Sequence, residues 1–192
     1  MKLKHLLFPA LVCAASVAHA GTTGAISAGI QHADVDGLSV NQAVLSAQAA
    51  TGSVVYGAKF ADGNHNGVNV RSLSASAGYA LDLRTPGLAV SPAVSVGYSR
   101  LGASAQKHIT VGADAAYTLG DKLTLFGGGA AGYAFGTSGL YASGGYTAVN
   151  AGVAYPTGPG IVSVGYDWNR APATAGRHIV ARGIAVSYAV PF

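Results

Sequence analysis

Beyond residue 20 the chain alternates, one residue at a time, between bulky apolar side chains and small ones. Segments 88–99, 108–119, 162–168 and 184–192 show the pattern most clearly. A period of two places successive side chains on opposite faces of a β-strand. In a soluble sandwich the bulky face is buried and the other face carries charges. Here the other face is alanine, serine, glycine and threonine, a pattern typical of a membrane barrel whose outside meets lipid.

Charged residues make up only 9% of the chain, whereas a soluble domain carries about 25%. Glutamate is absent, and the mean hydropathy is +0.37. After residue 20 no stretch approaches the run of about 18 apolar residues that indicates a membrane helix. A closed barrel is the other backbone arrangement that satisfies its hydrogen bonds in lipid. The sequence therefore predicts an all-β protein, a transmembrane antiparallel up-and-down β-barrel.

The first twenty residues have the three parts of a secretory signal peptide. Two lysines and a histidine lie in the first five residues, residues 6–17 carry no charge, and Ala-His-Ala at 18–20 forms a small-x-small cleavage site. We therefore predict a cleaved signal peptide at residues 1–20 and an outer-membrane barrel at residues 21–192. The single cysteine, Cys13, lies in the removed part, so the barrel can hold no disulfide.

Turn signals divide the barrel region at regular intervals. Short segments rich in glycine, proline or aspartate alternate with more polar ones, which gives four turns on one side and five loops on the other. An even number of strands leaves both termini on the periplasmic side. The first two strands have small side chains, so eight strands is the alternative count. The ten predicted strands are 22–32, 40–50, 53–61, 68–81, 87–100, 107–119, 122–135, 140–155, 160–169 and 178–192.

The aromatic residues provide an independent check, because the strand assignment does not depend on them. With this topology they point outward in two bands, as the two interfaces of a spanning barrel select. The band near the periplasmic edge consists of Tyr79, Tyr117, Tyr155, Tyr188 and Phe192. The band near the extracellular edge consists of Phe60, Tyr98, Tyr133, Phe135, Tyr141, Tyr166 and Trp168.

The last ten residues, Gly-Ile-Ala-Val-Ser-Tyr-Ala-Val-Pro-Phe, resemble the terminal signal of bacterial outer-membrane proteins, an alternating strand that ends on an aromatic residue. The resemblance implies insertion by the barrel-assembly machinery, with Tyr188 and Phe192 as the assembly signal. Pro191 departs from the common pattern. The chain also resembles the YfaZ-like family of small outer-membrane proteins in its short strands, its glycine-rich seventh and eighth strands and Val-Ser-Val-Gly-Tyr-Asp at 162–167. That resemblance implies no catalytic residues.

Basic residues are concentrated in the predicted extracellular half of the barrel. Parity places Arg71, Arg100 and Arg182 on the outer face, just above the apolar band. One interpretation is that these long side chains snorkel at a membrane interface. The other is that they face lipopolysaccharide and pair with its phosphates, for which the guanidinium fork is suited. Beyond residue 20 the net charge is only +2, which is too small to predict a nucleic-acid partner.

Two patterns of residues could carry chemistry. Residues 127–132 match the dinucleotide expression Gly-x-Gly-x-x-Gly, but a strand follows rather than a helix, so no cofactor is predicted. Imidazole and carboxylate groups, which can bind zinc or activate water, collect at the extracellular strand ends. The histidines are His32, His65, His108 and His178. Polar residues also collect there simply because strands meet water, and no enzyme activity or metal site is predicted. The alternatives are a His/Asp hydrolase at the rim and an adhesin that acts through its loops.

The inward-facing positions are mostly glycine, alanine, serine and threonine, with Phe126 as the bulky exception. Barrel width grows with strand number, and eight strands give an interior that side chains can just fill. Ten strands lined by small residues therefore predict a narrow watery passage. Its candidate polar lining residues are Lys59, Asp114, Asn150 and Asp167. The predicted function is that of a small integral outer-membrane barrel, either structural or a passive narrow pore for small solutes.

Overall fold

The computed structural model describes residues 22–120 and 122–192 as a closed barrel of ten antiparallel strands. The predicted signal peptide, residues 1–20, lies outside the described residues. Among the described residues, no helix is long and apolar enough to cross a membrane. The strands are β1 (Thr22–Val35), β2 (Leu38–Thr51), β3 (Val54–His65), β4 (Val68–Tyr79), β5 (Leu88–Leu101), β6 (Ser104–Leu119), β7 (Leu123–Ser138), β8 (Gly144–Thr157), β9 (Gly160–Pro172) and β10 (His178–Pro191).

Each strand pairs with its neighbours in sequence, and β1 closes the barrel by pairing with β10. This seam joins residues 25–35 of β1 to residues 181–191 of β10. Two backbone hydrogen bonds between Gly24 and Phe192, of 3.1 and 2.9 Å, extend it. Closure leaves no strand edge exposed, and lipid offers an exposed edge no hydrogen-bond partners. The prediction of ten strands is confirmed, and the alternative of eight is excluded.

The strands extend further toward the extracellular edge than predicted. β1 and β3 each continue into a two-residue turn, Asp36-Gly37 and Asn66-Gly67. All four turn residues have positive φ angles, between 50° and 85°. This is the backbone of the tight hairpin turns that Asp-Gly and Asn-Gly favour. The polar residues predicted as loops are therefore paired strand residues that continue the wall of the barrel.

Side-chain exposure confirms the predicted alternation of the two faces. The bulky residues of the outer face are largely exposed, as lipid-facing residues must be in an isolated barrel, and the small residues face inward. The periplasmic aromatic band is confirmed by five exposed rings, those of Tyr79, Tyr117, Tyr155, Tyr188 and Phe192. In the extracellular band, Tyr133, Phe135 and Tyr166 are likewise exposed.

Tyr141 is an exception, because its predicted outward position is wrong. Its side chain is only 6% exposed. The segment before β8 is not part of that strand, and Tyr141 forms an isolated β-bridge with Ala173, just beyond the end of the neighbouring strand β9. Backbone hydrogen bonds from Ala142 to Pro172 and from Thr174 to Leu140 hold this segment beside the end of β9. β8 consequently begins at Gly144 rather than at residue 140.

Candidate functional site

The four predicted lining residues all face the lumen, and two of them form an ion pair across it. Lys59 lies on β3 and Asp167 on β9, with β2, β1 and β10 between them around the wall. The Lys59 Nζ atom lies 2.6 Å from Asp167 Oδ2. Gln31 Nε2 donates a longer hydrogen bond, of 3.3 Å, to the same carboxylate oxygen. The two charged side chains are 40% and 32% exposed, so water reaches this cross-lumen bridge.

The other two predicted lining residues contact each other. Asn150 Nδ2 donates a hydrogen bond of 3.4 Å to Asp114 Oδ1. These residues lie on β8 and β6, and both are register partners of Gly128 on the strand between them. Because Gly128 has no side chain, the two groups can meet above it. Asn150 is also the register partner of Asp167, so all four polar residues form one polar belt across the middle of the lumen.

Toward the extracellular edge the lumen is filled by side chains. Val40 is 1% exposed and Ala134 is 0% exposed, although both point into the barrel. The small inward residues predict a narrow watery passage, whereas the inward side chains at this end of the lumen are packed against one another. We call the buried cluster the extracellular plug; it consists of Ala33, Val35, Val40, Val70, Ala134, Tyr141, Tyr146, Ala171 and Ile179.

A stacked pair of rings lies beside the plug. His108 of β6 and Tyr146 of β8 stack with their centroids 4.2 Å apart and their planes within 5°. Gly97 on β5 makes room for the imidazole, since a Cβ atom there would collide with the ring. Phe126 is therefore not the only bulky inward residue. Parity could have assigned both rings to the lumen, but their contact spans the intervening strand β7 and has no local signature.

Below the polar belt the lumen is filled less tightly. A cavity of about 50 Å³ lies among inward residues of β2 to β6, including Gln48, Ser76, Ser91 and Asp114. The small residues predicted for the lumen line this half of the barrel. Phe126, packed over Gly152 of β8, occupies the opposite wall. The lumen thus has a cavity on its periplasmic side, a polar belt and a packed extracellular half.

The histidines predicted at the extracellular rim are not brought together. His108 is buried in the lumen, whereas His32, His65 and His178 lie on different hairpins. Their side-chain hydrogen bonds go to asparagine, serine and arginine, as in the 2.8 Å contact of His32 with Asn41. Within the described ranges, no group of three or more His, Cys, Asp or Glu residues could hold a metal ion.

The three predicted lipid-facing arginines all point outward, but they are not equivalent. Arg71 Nε donates a 2.8 Å hydrogen bond to Asp62, and its guanidinium lies 5.9 Å from the centre of the Phe60 ring. Arg182 Nε lies 4.0 Å from a carboxylate oxygen of Asp34. Arg100 instead donates to the carbonyl oxygen of Gly102 in its own hairpin, at 2.8 Å.

The two residues of the predicted assembly signal lie against glycines of neighbouring strands. The Phe192 ring covers Gly24 of β1, and the Tyr188 ring covers Gly160 of β9. Such aromatic coverage shields backbone that a glycine leaves bare. Tyr188 and Phe192 therefore pack on both sides of β10, the strand that closes the barrel.

No protein-family model and no curated protein matches the chain, but solved structures do. The outer-membrane protease OmpT from Escherichia coli matches with a TM-score of 0.55 at 12% identity, over 89% of this chain and 96% of that one. The translocator domain of the autotransporter NalP from Neisseria meningitidis gives a TM-score of 0.49 at 12% identity, over 94% and 92% of the two chains. Neisserial surface protein A gives 0.44 at 16% identity, over 90% and 98%.

At these identities the likeness concerns the fold alone. The fold that the OmpT structure shares is a closed antiparallel barrel of the bacterial outer membrane. The lipid-facing apolar surface and the aromatic bands found here are what that membrane requires. The chain is therefore a small outer-membrane β-barrel protein.

Proposed function

We propose that the protein is a structural component of the outer membrane, with a lumen that is closed at rest. The observation that carries this proposal is the extracellular plug, to which seven of the ten strands contribute a buried inward side chain. The Lys59–Asp167 bridge adds a second restriction at mid-height. Protein interiors packed in this way leave no room for a hydrated ion.

Single-channel recording of refolded protein in a planar bilayer tests the proposal. We expect the native barrel to be silent while it shows the heat-dependent gel shift of a folded barrel. Removing two plug rings with Tyr141→Ala and Tyr146→Ala should open the extracellular half and produce conductance. The matched control is Tyr133→Ala with Tyr155→Ala, which removes two outward rings and should stay silent. Steady conductance by the native protein would contradict closure.

A passive narrow pore is the second candidate. The cavity on the periplasmic side, which the exposed Asp114 carboxylate lines, supports it, because a path for solutes would begin in such a cavity. In this case the segment with Tyr141 would have to move for solute to pass. Native protein that is silent at rest but conducts in brief bursts would favour the pore.

We propose no enzymatic or adhesive role. The rim histidines hydrogen-bond to neutral or basic groups, and none of the described histidines forms a hydrogen bond with an aspartate. Three of the extracellular hairpins turn within two residues and offer little surface to a partner. Insertion by the barrel-assembly machinery remains a prediction from the sequence, supported by the packing of Tyr188 and Phe192 across the closing strand. Membership of the YfaZ-like family remains a prediction from the sequence alone.

A further inference from the structure

The basic residues of the extracellular edge are grouped on one side of the barrel. Arg71 of β4 is the direct register partner of Arg100 of β5, and both point outward. Side chains in such cross-strand pairs stand about 5 Å apart at Cβ, and like charges placed there destabilise a sheet. Lys107 of β6 lies on the same face, one outward position below the partner of Arg100.

Only part of this charge is neutralised by the protein. Asp62 pairs with Arg71 and is also its register partner on β3. Among the described residues, no carboxylate lies within 4.0 Å of Arg100 or Lys107. Arg71, Arg100 and Lys107, taken together with Asp62, therefore carry a net charge of +2 on the four adjacent strands β3 to β6. We call Arg71, Arg100 and Lys107 the basic triad.

The surroundings of the basic triad fit the level of lipid headgroups. Lys107 lies between two aromatic register partners, Tyr98 of β5 and Phe135 of β7. Its stem runs past Gly136, where a Cβ atom would stand 3.5 Å from Lys107 Cδ. Aromatic residues mark the membrane interface. The guanidinium of Arg100 and the ammonium of Lys107 therefore lie on the outer surface of the barrel, just above the apolar band. Arg100 and Lys107 are both exposed there.

We propose that the basic triad binds a phosphorylated headgroup of the outer leaflet, the lipid A part of lipopolysaccharide. A phosphate between Arg100 and Lys107 would neutralise the repulsion that the register creates, and the guanidinium and ammonium groups would donate to its oxygens. The site is confined to β4, β5 and β6; Arg182, which is near Asp34, is not part of it. The inference requires the outer-membrane location but holds for a closed or an open lumen.

The opposite side of the barrel supplies a matched control. Arg170 of β9 and Arg182 of β10 are also outward and exposed at the same edge. The variant Arg100→Gln with Lys107→Gln and the variant Arg170→Gln with Arg182→Gln each remove two positive charges from the outer rim. General attraction to an anionic surface should weaken equally in both variants, whereas a local site should be lost only in the first.

The experiment measures lipid A bound per folded barrel, in phosphatidylcholine nanodiscs that contain either bisphosphorylated or dephosphorylated lipid A. We expect native protein to retain the phosphorylated form, and the Arg100/Lys107 variant to bind it roughly thirtyfold more weakly, at about 1 kcal/mol for each of the two lost cations. The Arg170/Arg182 variant should bind as the native protein does. Equal losses in the two variants, or equal binding of both lipid A forms by native protein, would overturn the proposal.

A third arm distinguishes a lipid headgroup from free phosphate. Inorganic phosphate added at millimolar concentration should leave the bound lipid A unchanged, because a lipid is held by its acyl chains as well as by its phosphate. Complete displacement by inorganic phosphate would instead indicate a site for the free anion and would contradict the lipid assignment.

The variant Arg100→Lys keeps the positive charge but loses the two-pronged guanidinium group. Its affinity for phosphorylated lipid A should therefore lie between those of the native protein and the Arg100/Lys107 double variant.

Discussion

Lys59 and Asp167 are 108 positions apart in the chain, yet their side chains meet inside the barrel. Because both are partly exposed, their attraction is screened by water, and we expect a coupling free energy of up to about 1 kcal/mol. Each of Lys59→Asp and Asp167→Lys should therefore lower stability against urea in bilayers. The double exchange should restore most of the loss, since it rebuilds the pair in reverse. Additive losses in the double exchange would show that the two charges are not coupled.

Tyr141 is the residue whose acid–base behaviour the fold changes most clearly outside the spanning strands. Burial, together with the nearby Asp36 carboxylate, raises the pKa of its phenol to about 12. Above pH 10 the unfolded chain releases this proton and the folded barrel keeps it. The stabilising contribution is thus complete below pH 10 and is lost as the pH rises toward 12.

Tyr141→Phe should remove this alkaline loss of stability while keeping most of the packing. The native protein should lose up to about 3 kcal/mol more than the variant between pH 10 and pH 12. Urea unfolding in detergent at several alkaline pH values measures the difference. Tyr133→Phe, on the exposed outer face, serves as the control and should follow the native curve. Parallel pH profiles of the native and Tyr141→Phe proteins would exclude a buried phenol at this position.

At the scale of single residues, the sequence predicted faces well and contacts poorly. Lys59, Asp114, Arg71 and Arg182 all point where parity predicted, because the two-residue period is a local property of any strand. The Lys59–Asp167 bridge was not predictable, since it depends on how the barrel closes. Tyr141 was misplaced for a related reason: it lies in a connection, where the period does not apply.

At the scale of elements, the ends of the strands are set by turn chemistry. Gly67 has a φ angle of +82°, which an L-residue with a side chain adopts only under strain. Gly67→Ala should cost about 1–2 kcal/mol of stability and should leave the register unchanged, because strand pairing on both sides fixes it. Gly145→Ala is the matched control; a Cβ atom there meets nothing within 4 Å and no positive φ is needed. Equal effects of the two substitutions would contradict the tight turn.

The last strand has a separate role, because it must close the barrel. Phe192 makes two backbone hydrogen bonds to Gly24 and covers it with its ring. Deleting Phe192 should leave much of the protein unfolded in the periplasm, whereas Phe192→Tyr should assemble nearly normally because it keeps both features. The yield of the heat-shifted folded form in the outer membrane measures the outcome. Normal assembly after the deletion would show that the terminal aromatic residue is not needed for barrel closure.

Turn and strand signals explain why the element count was predictable and the strand lengths were not. Ten strands followed from the regular spacing of turns, which is readable along the chain. The Asp36-Gly37 and Asn66-Gly67 hairpins were also readable as turn signals, and attention to their preferred backbone would have lengthened β1 and β3. The late start of β8 was not readable, because it follows from the contact of Tyr141 with Ala173.

At the scale of the whole molecule, the two ends of the lumen differ in chemistry. The sequence correctly indicated small inward residues near the periplasmic edge. The valines, the isoleucine and Tyr146 of the extracellular plug lie on the same inward face as those small residues, and Tyr141 comes from a loop, so alternation alone did not reveal the plug. A pattern of alternation specifies which face a residue occupies and not how much of the interior its volume fills. The packed half of the lumen therefore emerges only when ten strands are assembled.

Opening the extracellular plug should make the ion preference of the lumen measurable. In the polar belt Lys59 is paired with Asp167, which leaves the exposed Asp114 carboxylate, bonded only to the neutral Asn150, as the uncompensated charge. A barrel opened by Tyr141→Ala and Tyr146→Ala should therefore prefer cations weakly, by up to about fivefold, as one partly screened charge can supply. Adding Asp114→Leu should remove that preference, which the reversal potential in a salt gradient measures. Asp82→Asn, a carboxylate in the periplasmic connection between β4 and β5, should leave the reversal potential unchanged. An unaltered reversal potential in the Asp114→Leu variant would mean that ions do not pass the polar belt.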